Sequence, residues 1–174
     1  WVNTCLDKGE YQGNAIIPVA YIVCNFTPPS DGTSSKLSFY EVETLFHEFG
    51  HALQHMLTSV EVLDVAGING VDWDAVELPS QFMENWCYHK NTIKKFALHF
   101  ATKDPIPDEL FDKIISSKNY LSAVQMLRQL LFAKTDLELH SSYSKATDGS
   151  VFDLFQKLAA LISPMKPLQN DRFL

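Results

Sequence analysis

The sequence predicts a mainly α-helical chain with a small β element toward its N-terminus. Three observations carry that reading. Apolar residues recur at helical spacing after a capping box at Ser38 and Glu41; four stretches beyond residue 80 share helical patterning punctuated by prolines; one β-branched and aromatic run, Ile16–Phe26, stands apart from them.

In chain order, residues 1–14 are polar, contain glycine and show no period, so they read as an irregular entry. Ile16–Phe26 is bounded by turn formers, and Pro18, which has no N–H to give a ladder, assigns it to a sheet edge. Such an edge is either an ordinary margin or a template on which an extended peptide adds itself by backbone pairing. Residues 28–35 are a loop by composition. Ser38 and Glu41 then open a helix from about Phe39 to Leu57, whose apolar stripe is Val42, Leu45, Phe46, Phe49, Leu53 and Met56. Gly50 inside it costs about 1 kcal/mol relative to alanine, so a neighbouring backbone, in the plainest case another helix, is expected against it. Residues 58–72 read as a turning connection with Gly67 and Gly70. Pro79 suits a first helical turn, which starts a helix near Glu77. Helices are expected over 81–101, 107–117, 119–139 and 149–163, and the stripe Leu121, Val124, Leu127, Leu130 and Leu131 reads as core.

Composition bounds the function. A chain of 174 residues, 46% of them hydrophobic, buries a core of ordinary size in one domain or part of one. Fourteen Lys and Arg against twenty-one Asp and Glu give a net charge of −7, which argues against a nucleic-acid partner held through phosphates. No apolar run approaches the roughly 20 residues of a membrane span and no leader pattern opens the chain, so it reads as soluble with no membrane partner. Trp1 and the closing Arg172-Phe173-Leu174 read as cuts through a longer chain. Cys5, Cys24 and Cys87 are widely spaced and suit reduced, packing thiols of an intracellular protein. The glycosylation match at Asn25-Phe26-Thr27 is then incidental.

The chemistry sits at His47-Glu48-Phe49-Gly50-His51, an H-E-x-x-H pattern inside the expected helix. Four residues rise about 6 Å and complete slightly more than one turn, so the two imidazoles share a face and suit a zinc ion at about 2.0–2.1 Å from each. Glu48 follows the first histidine and stands where a carboxylate takes a proton from a water attacking a carbonyl. Taken alone, the pattern is also compatible with two core histidines and no metal. An open water position leaves room for a third protein ligand, and the downstream candidates are His55, Glu61, Asp64, Asp72, Asp74, Glu77 and Glu84. His55 shares the face of His51 but lies two turns, about 12 Å, from His47, which suits packing or a supporting hydrogen bond rather than the same ion. Glu77, at a helix opening stiffened by Pro79, is the preferred choice.

Phe46-His47-Glu48-Phe49-Gly50-His51, followed after twenty-five residues by Glu77 within Asp74-Ala75-Val76-Glu77-Leu78-Pro79-Ser80-Gln81-Phe82-Met83-Glu84-Asn85-Trp86, resembles the thimet oligopeptidase family of zinc peptidases, and within it the oligopeptidase A branch with its plant organellar and cytosolic relatives. Pro18-Val19-Ala20-Tyr21, Cys24-Asn25-Phe26, Leu127-Arg128-Gln129-Leu130 and Asp136-Leu137-Glu138-Leu139-His140 extend the likeness over nearly the whole chain. The resemblance implies a zincin-type catalytic-domain segment of a larger, mostly helical oligopeptidase. Residues 1–174 would be part of the catalytic domain, without the N-terminal helical region and the C-terminal substrate-binding part. It makes His47, His51 and Glu77 the ligands of one Zn²⁺ per chain and Glu48 the general base. Asp74 would orient a histidine, unless it is simply a helix N-cap. Glu84 has a similar claim, set against plain surface exposure. Short peptides would be the substrates, and the remainder of the enzyme a partner of this segment. The compartment would be the cytoplasm, a mitochondrion or a plastid.

The family's oxyanion-stabilising histidine and tyrosines lie on a Gly-rich stretch that this sequence does not reach, and His140 and Tyr143 align elsewhere. Losing oxyanion donors costs roughly 10²–10³ in rate, so the segment alone is expected to hydrolyse peptides weakly or not at all. Two other classes remain open at this point. One is a non-catalytic helical fragment or module with a structural zinc, closed by a fourth protein ligand, or with no metal. The other is a secreted thermolysin-like peptidase, against which the unpaired cysteines and missing leader count.

Overall fold

In the computed structural model, which describes residues 1–30, 32, 34–165, 167 and 168, helices dominate and four short strands precede them. The chain divides into two units, Trp1–Pro107 and Asp108–Leu174.

The first unit opens with strands that the reading of residues 1–14 as irregular missed. Strand β1 (Val2–Leu6) pairs antiparallel with β4 (Val19–Ile22) in the register Val2↔Ile22, Asn3↔Tyr21, Thr4↔Ala20, with an irregularity before Leu6↔Val19. Between them, β2 (Gly9–Tyr11) and β3 (Asn14–Ile16) form a hairpin. Its two turn residues, Gln12 at φ 51 and Gly13 at φ 77, are both left-handed, the requirement of the tight turn whose twist matches the strands. The expected strand over 16–26 is correspondingly shorter and broken: Ile16 belongs to β3, and the ladder of β4 begins only after Pro18.

Helix α1 (Phe39–Met56) forms as expected. The Ser38 backbone N–H donates to Glu41 Oε2 at 2.6 Å and the Glu41 N–H to Ser38 Oγ at 3.3 Å, closing the capping box. Glu41 Oε1 also accepts from the Thr27 N–H at 3.0 Å, which ties the preceding loop to the helix start. The buried residues of α1 are Glu48, Gly50, His51, Ala52 and His55, whereas Leu45, Phe49 and Met56 of the expected stripe are exposed.

After 3-10 turns at Leu63–Val65 and Gly67–Gly70, helix α2 (Leu78–Glu84) crosses α1 with Pro79 in its first turn. Gly50 is the crossing point, since a Cβ there would lie 2.5 Å from both Pro79 O and Ser80 Cα. The expected helix over 81–101 stops early. Asn85 Nδ2 donates to the carbonyls of Gln81 and Phe82, and the chain tightens into a 3-10 turn at Asn85–Tyr88 before the four-residue α3 (Lys90–Ile93).

The second unit contains α4 (Asp108–Lys118), α5 (Ser122–Ser141), the single turn α6 (Lys145–Asp148) and α7 (Val151–Ile162). Helix α7 has its own capping box, Ser150 with Asp153. Leu131, Phe155, Leu158 and Ala159 form the buried cluster between α5 and α7. Of the stripe read as core, Leu131 is buried, while Leu121 and Leu130 are 60% and 50% exposed. Among the described residues, no helix is long and apolar enough to cross a membrane.

Candidate metal centre

The site is assembled by the α1–α2 crossing. One turn of α1 presents His47 and His51, with ring centroids 5.0 Å apart and planes at 84°. Glu77, the residue before α2, brings one oxygen to both: Oε2 lies 3.1 Å from His47 Nε2 and 3.2 Å from His51 Nε2. Two donors each about 2.0–2.1 Å from a tetrahedral ion stand about 3.4 Å apart, so these separations suit a shared zinc. Among the described residues, His47, His51 and Glu77 are the group of ligating side chains that could hold a metal ion.

Glu84, about two helical turns on from Glu77, reaches the other ring nitrogen of His47: its Oε1 is 2.6 Å from His47 Nδ1. A carboxylate only accepts, so a hydrogen bond at this contact is donated by His47 Nδ1, the tautomer that would leave the Nε2 lone pair for a metal ion. His51 has no such support, and its Nδ1 is buried without a hydrogen-bond partner among the described residues.

Glu48 lies beside the histidines, 9% exposed. Its Oε1 is 3.1 Å from the Trp1 nitrogen, and its Oε2 is buried with no partner among the described residues. With His47, His51, Glu77, Trp1, Trp73 and Val76 it lines a cleft of about 590 Å³. A carboxylate with one oxygen unsatisfied has a free lone pair for a proton.

Asp74 and His55 both stay out of the cluster, as expected of His55 alone. Asp74 is exposed in the turn before α2, and among the described residues no hydrogen bond or ion pair joins it to a histidine; nor does it cap α2, whose N-cap is Glu77. His55 is fully buried, which fits the packing alternative, and its Nε2 lies 2.9 Å from the Leu6 carbonyl, so that it fastens β1 to α1.

Ser80 escaped the sequence reading. It is fully buried, and its hydroxyl lies 2.8 Å from Glu77 Oε2 and 2.9 Å from the Glu77 carbonyl. The only available signal was spacing: a hydroxyl three residues after a carboxylate at a helix start. This Ser80 hydrogen bond is the foremost cause that holds the Glu77 carboxyl below its usual range, against partial burial.

The chain matches the model of peptidase family M3 over residues 1–173. It is 49% identical to organellar oligopeptidase A, chloroplastic/mitochondrial, of Arabidopsis thaliana over all of its own length and 22% of that protein's. It is 42% identical to oligopeptidase A of Escherichia coli over 99% of the chain and 26% of the relative. A thimet-like oligopeptidase of Dictyostelium discoideum is 37% identical over 85% of the chain and 22% of its own length. The chain thus spans about a quarter of the length of these relatives. A helix carrying H-E-x-x-H, crossed by a second that delivers a glutamate, is what this match covers, and the chain belongs to peptidase family M3.

Proposed function

We propose that the intact protein is a zinc-dependent metalloendopeptidase of the oligopeptidase kind, cutting short peptides. The observation that carries this is the convergence of His47 Nε2 and His51 Nε2 on one oxygen of Glu77 at 3.1 and 3.2 Å, beside the buried carboxylate of Glu48. His47, His51 and Glu77 would hold one Zn²⁺ per chain. A zinc ion bound there would polarise a peptide carbonyl and acidify a water.

The remaining roles fall to the chain's own groups. Glu48 takes the proton of the attacking water and returns it to the leaving amine. Glu84 fixes the tautomer and ring orientation of His47. Catalytic zinc sites keep a position open, and the three-membered donor set facing a cleft supports this reading over a structural zinc closed by a fourth protein ligand. The names of the relatives, oligopeptidases described as chloroplastic/mitochondrial and as cytosolic, support short peptides as substrates and an organellar or cytoplasmic location. Oxyanion donors would come from the rest of the polypeptide, the partner of this segment.

The test is Glu48→Gln in the full-length protein, with peptide turnover and zinc content measured together. Turnover should fall by roughly 10²–10⁴ while zinc stays at one per chain. Ordinary turnover in that variant would remove Glu48 from the mechanism, and a parent protein without zinc would remove the metal.

A further inference from the structure

Ser80 packs at the α1–α2 crossing rather than in the cleft. It is fully buried, its Cα lies 2.5 Å from where a Cβ on Gly50 would stand, and its hydroxyl faces Glu77 Oε2 at 2.8 Å and the Glu77 carbonyl at 2.9 Å. From these contacts we propose that Ser80 is a positioning residue that aims the Glu77 carboxylate at the two histidines; the proposal rests on the metal-centre reading given above.

The argument is one of freedom and position. Glu77 precedes the first residue of α2, has no side-chain cap, and its side chain is 51% exposed. A glutamate so placed has three rotatable side-chain bonds, and ordering them costs entropy. Two imidazole nitrogens do not fix it, because nitrogens presenting lone pairs to a metal do not also donate to the carboxylate. The Ser80 hydroxyl is the donor that reaches Oε2 without competing with the imidazoles. Its hydrogen bond to a charged oxygen is stronger than one to a neutral carbonyl, so the carboxylate takes the larger share of the single proton.

The serine is itself immobilised. With Gly50 opposite, α2 lies so close to α1 that Ser80 has no solvent-exposed surface, and the hydroxyl faces the two acceptors of Glu77. The close approach at Gly50 and the aim of Glu77 are therefore one device: the glycine seats α2, and the serine transmits that seating to the carboxylate.

The experiment uses the full-length protein and the metal alone. Ser80→Ala removes the donor at nearly constant shape, and Ser80→Cys keeps only a weak donor on a somewhat larger atom. Thermal unfolding of the metal-free protein and zinc affinity by chelator competition are measured for both, with Glu77→Ala as reference. The expected result is a zinc dissociation constant raised roughly 10- to 100-fold in both serine variants, with the metal-free unfolding midpoint unmoved in at least one of them. Zinc affinity within about twofold of the parent in a folded serine variant overturns the inference, as does an affinity loss that only accompanies a lowered metal-free midpoint in both. If Glu77→Ala also binds zinc like the parent, the metal-centre reading itself fails; if Glu77→Ala loses zinc and the serine variants keep it, only the role of Ser80 fails.

Discussion

His47 Nδ1 and Glu84 Oε1 stand 2.6 Å apart, a contact that joins the first histidine of the motif on α1 to the last residue of α2. It does so without entering the cleft, since the nitrogen facing Glu77 is the other one. The hydrogen bond therefore acts on the imidazole rather than on anything bound beside it. Glu84→Ala should leave the ring free to rotate and to change tautomer, weakening zinc binding by roughly 10- to 100-fold. Glu84→Gln retains an acceptor oxygen without the charge and should fall between the two. Chelator competition on the full-length protein measures both, and equal affinities in all three proteins would show that Glu84 does not orient the ring.

Gly50→Ala addresses the crossing itself. A Cβ at that position meets backbone, Pro79 O and Ser80 Cα at 2.5 Å, and backbone cannot swing aside as a side-chain tip can. Helix propensity would favour the alanine by about 1 kcal/mol. Overpacking that moves a helix typically costs about 1–3 kcal/mol, so the variant should be less stable despite the better propensity. Because α2 would move away carrying Glu77, zinc affinity should fall with stability. A chemical-denaturation midpoint equal to or above the parent's would mean that α2 does not press on Gly50 in solution.

These two residues also mark how far the sequence is informative. The Gly50 approach, the capping box and the helical face of His47 and His51 are local properties, set by spacing within one turn or two, and all three are present. Glu77 was reachable because Pro79 announces a helix start. What the sequence concealed is non-local or very short. The pairing Leu6↔Val19 joins the expected strand to a stretch, residues 1–14, that shows no strand period, and the hairpin depends on Gln12 adopting a left-handed conformation that glutamine does not advertise. The early stop of α2 is a side-chain event, Asn85 taking the carbonyls of Gln81 and Phe82, in a stretch whose apolar pattern continues regardless. Ser80 was invisible because its role exists only once Gly50 admits α2 to contact. Asp74, suggested by proximity in sequence, is turned outward.

The capping box of α1 sets a pH dependence. Three hydrogen bonds from Thr27 and Ser38, the Thr27 backbone N–H foremost, hold the Glu41 carboxyl down to about 2 from an ordinary 4.5. A carboxyl with a depressed folded-state value contributes stability that is fully present above its unfolded value and is lost as pH falls toward the folded one. The contribution of Glu41 should thus be constant above about pH 5 and fade between about 4.5 and 2. Urea midpoints of the parent and Glu41→Gln, measured across that range, should converge as the solution becomes more acidic. A gap that stays constant down to pH 2 would show that the charge of Glu41 plays no part in starting α1.

Leu130 and Leu131, adjacent on α5, separate the packing in the structure from the apolar stripe read in the sequence. The stripe counts both as core, yet Leu131 is 6% exposed, clustered with Phe155, Leu158 and Ala159, while Leu130 is 50% exposed. Truncating Leu131 removes buried methyl groups and leaves a cavity between α5 and α7, a change that costs about 2–5 kcal/mol. Truncating Leu130 removes area that is already half in water, and alanine is at least as good a helix former, so the loss should be about 1 kcal/mol or less. Denaturant titrations of the two alanine variants, with the slope checked to be unchanged, give the comparison directly. Equal losses would show that the face of α5 carrying Leu130 is covered in solution, and the stripe would then be core on both sides of the helix.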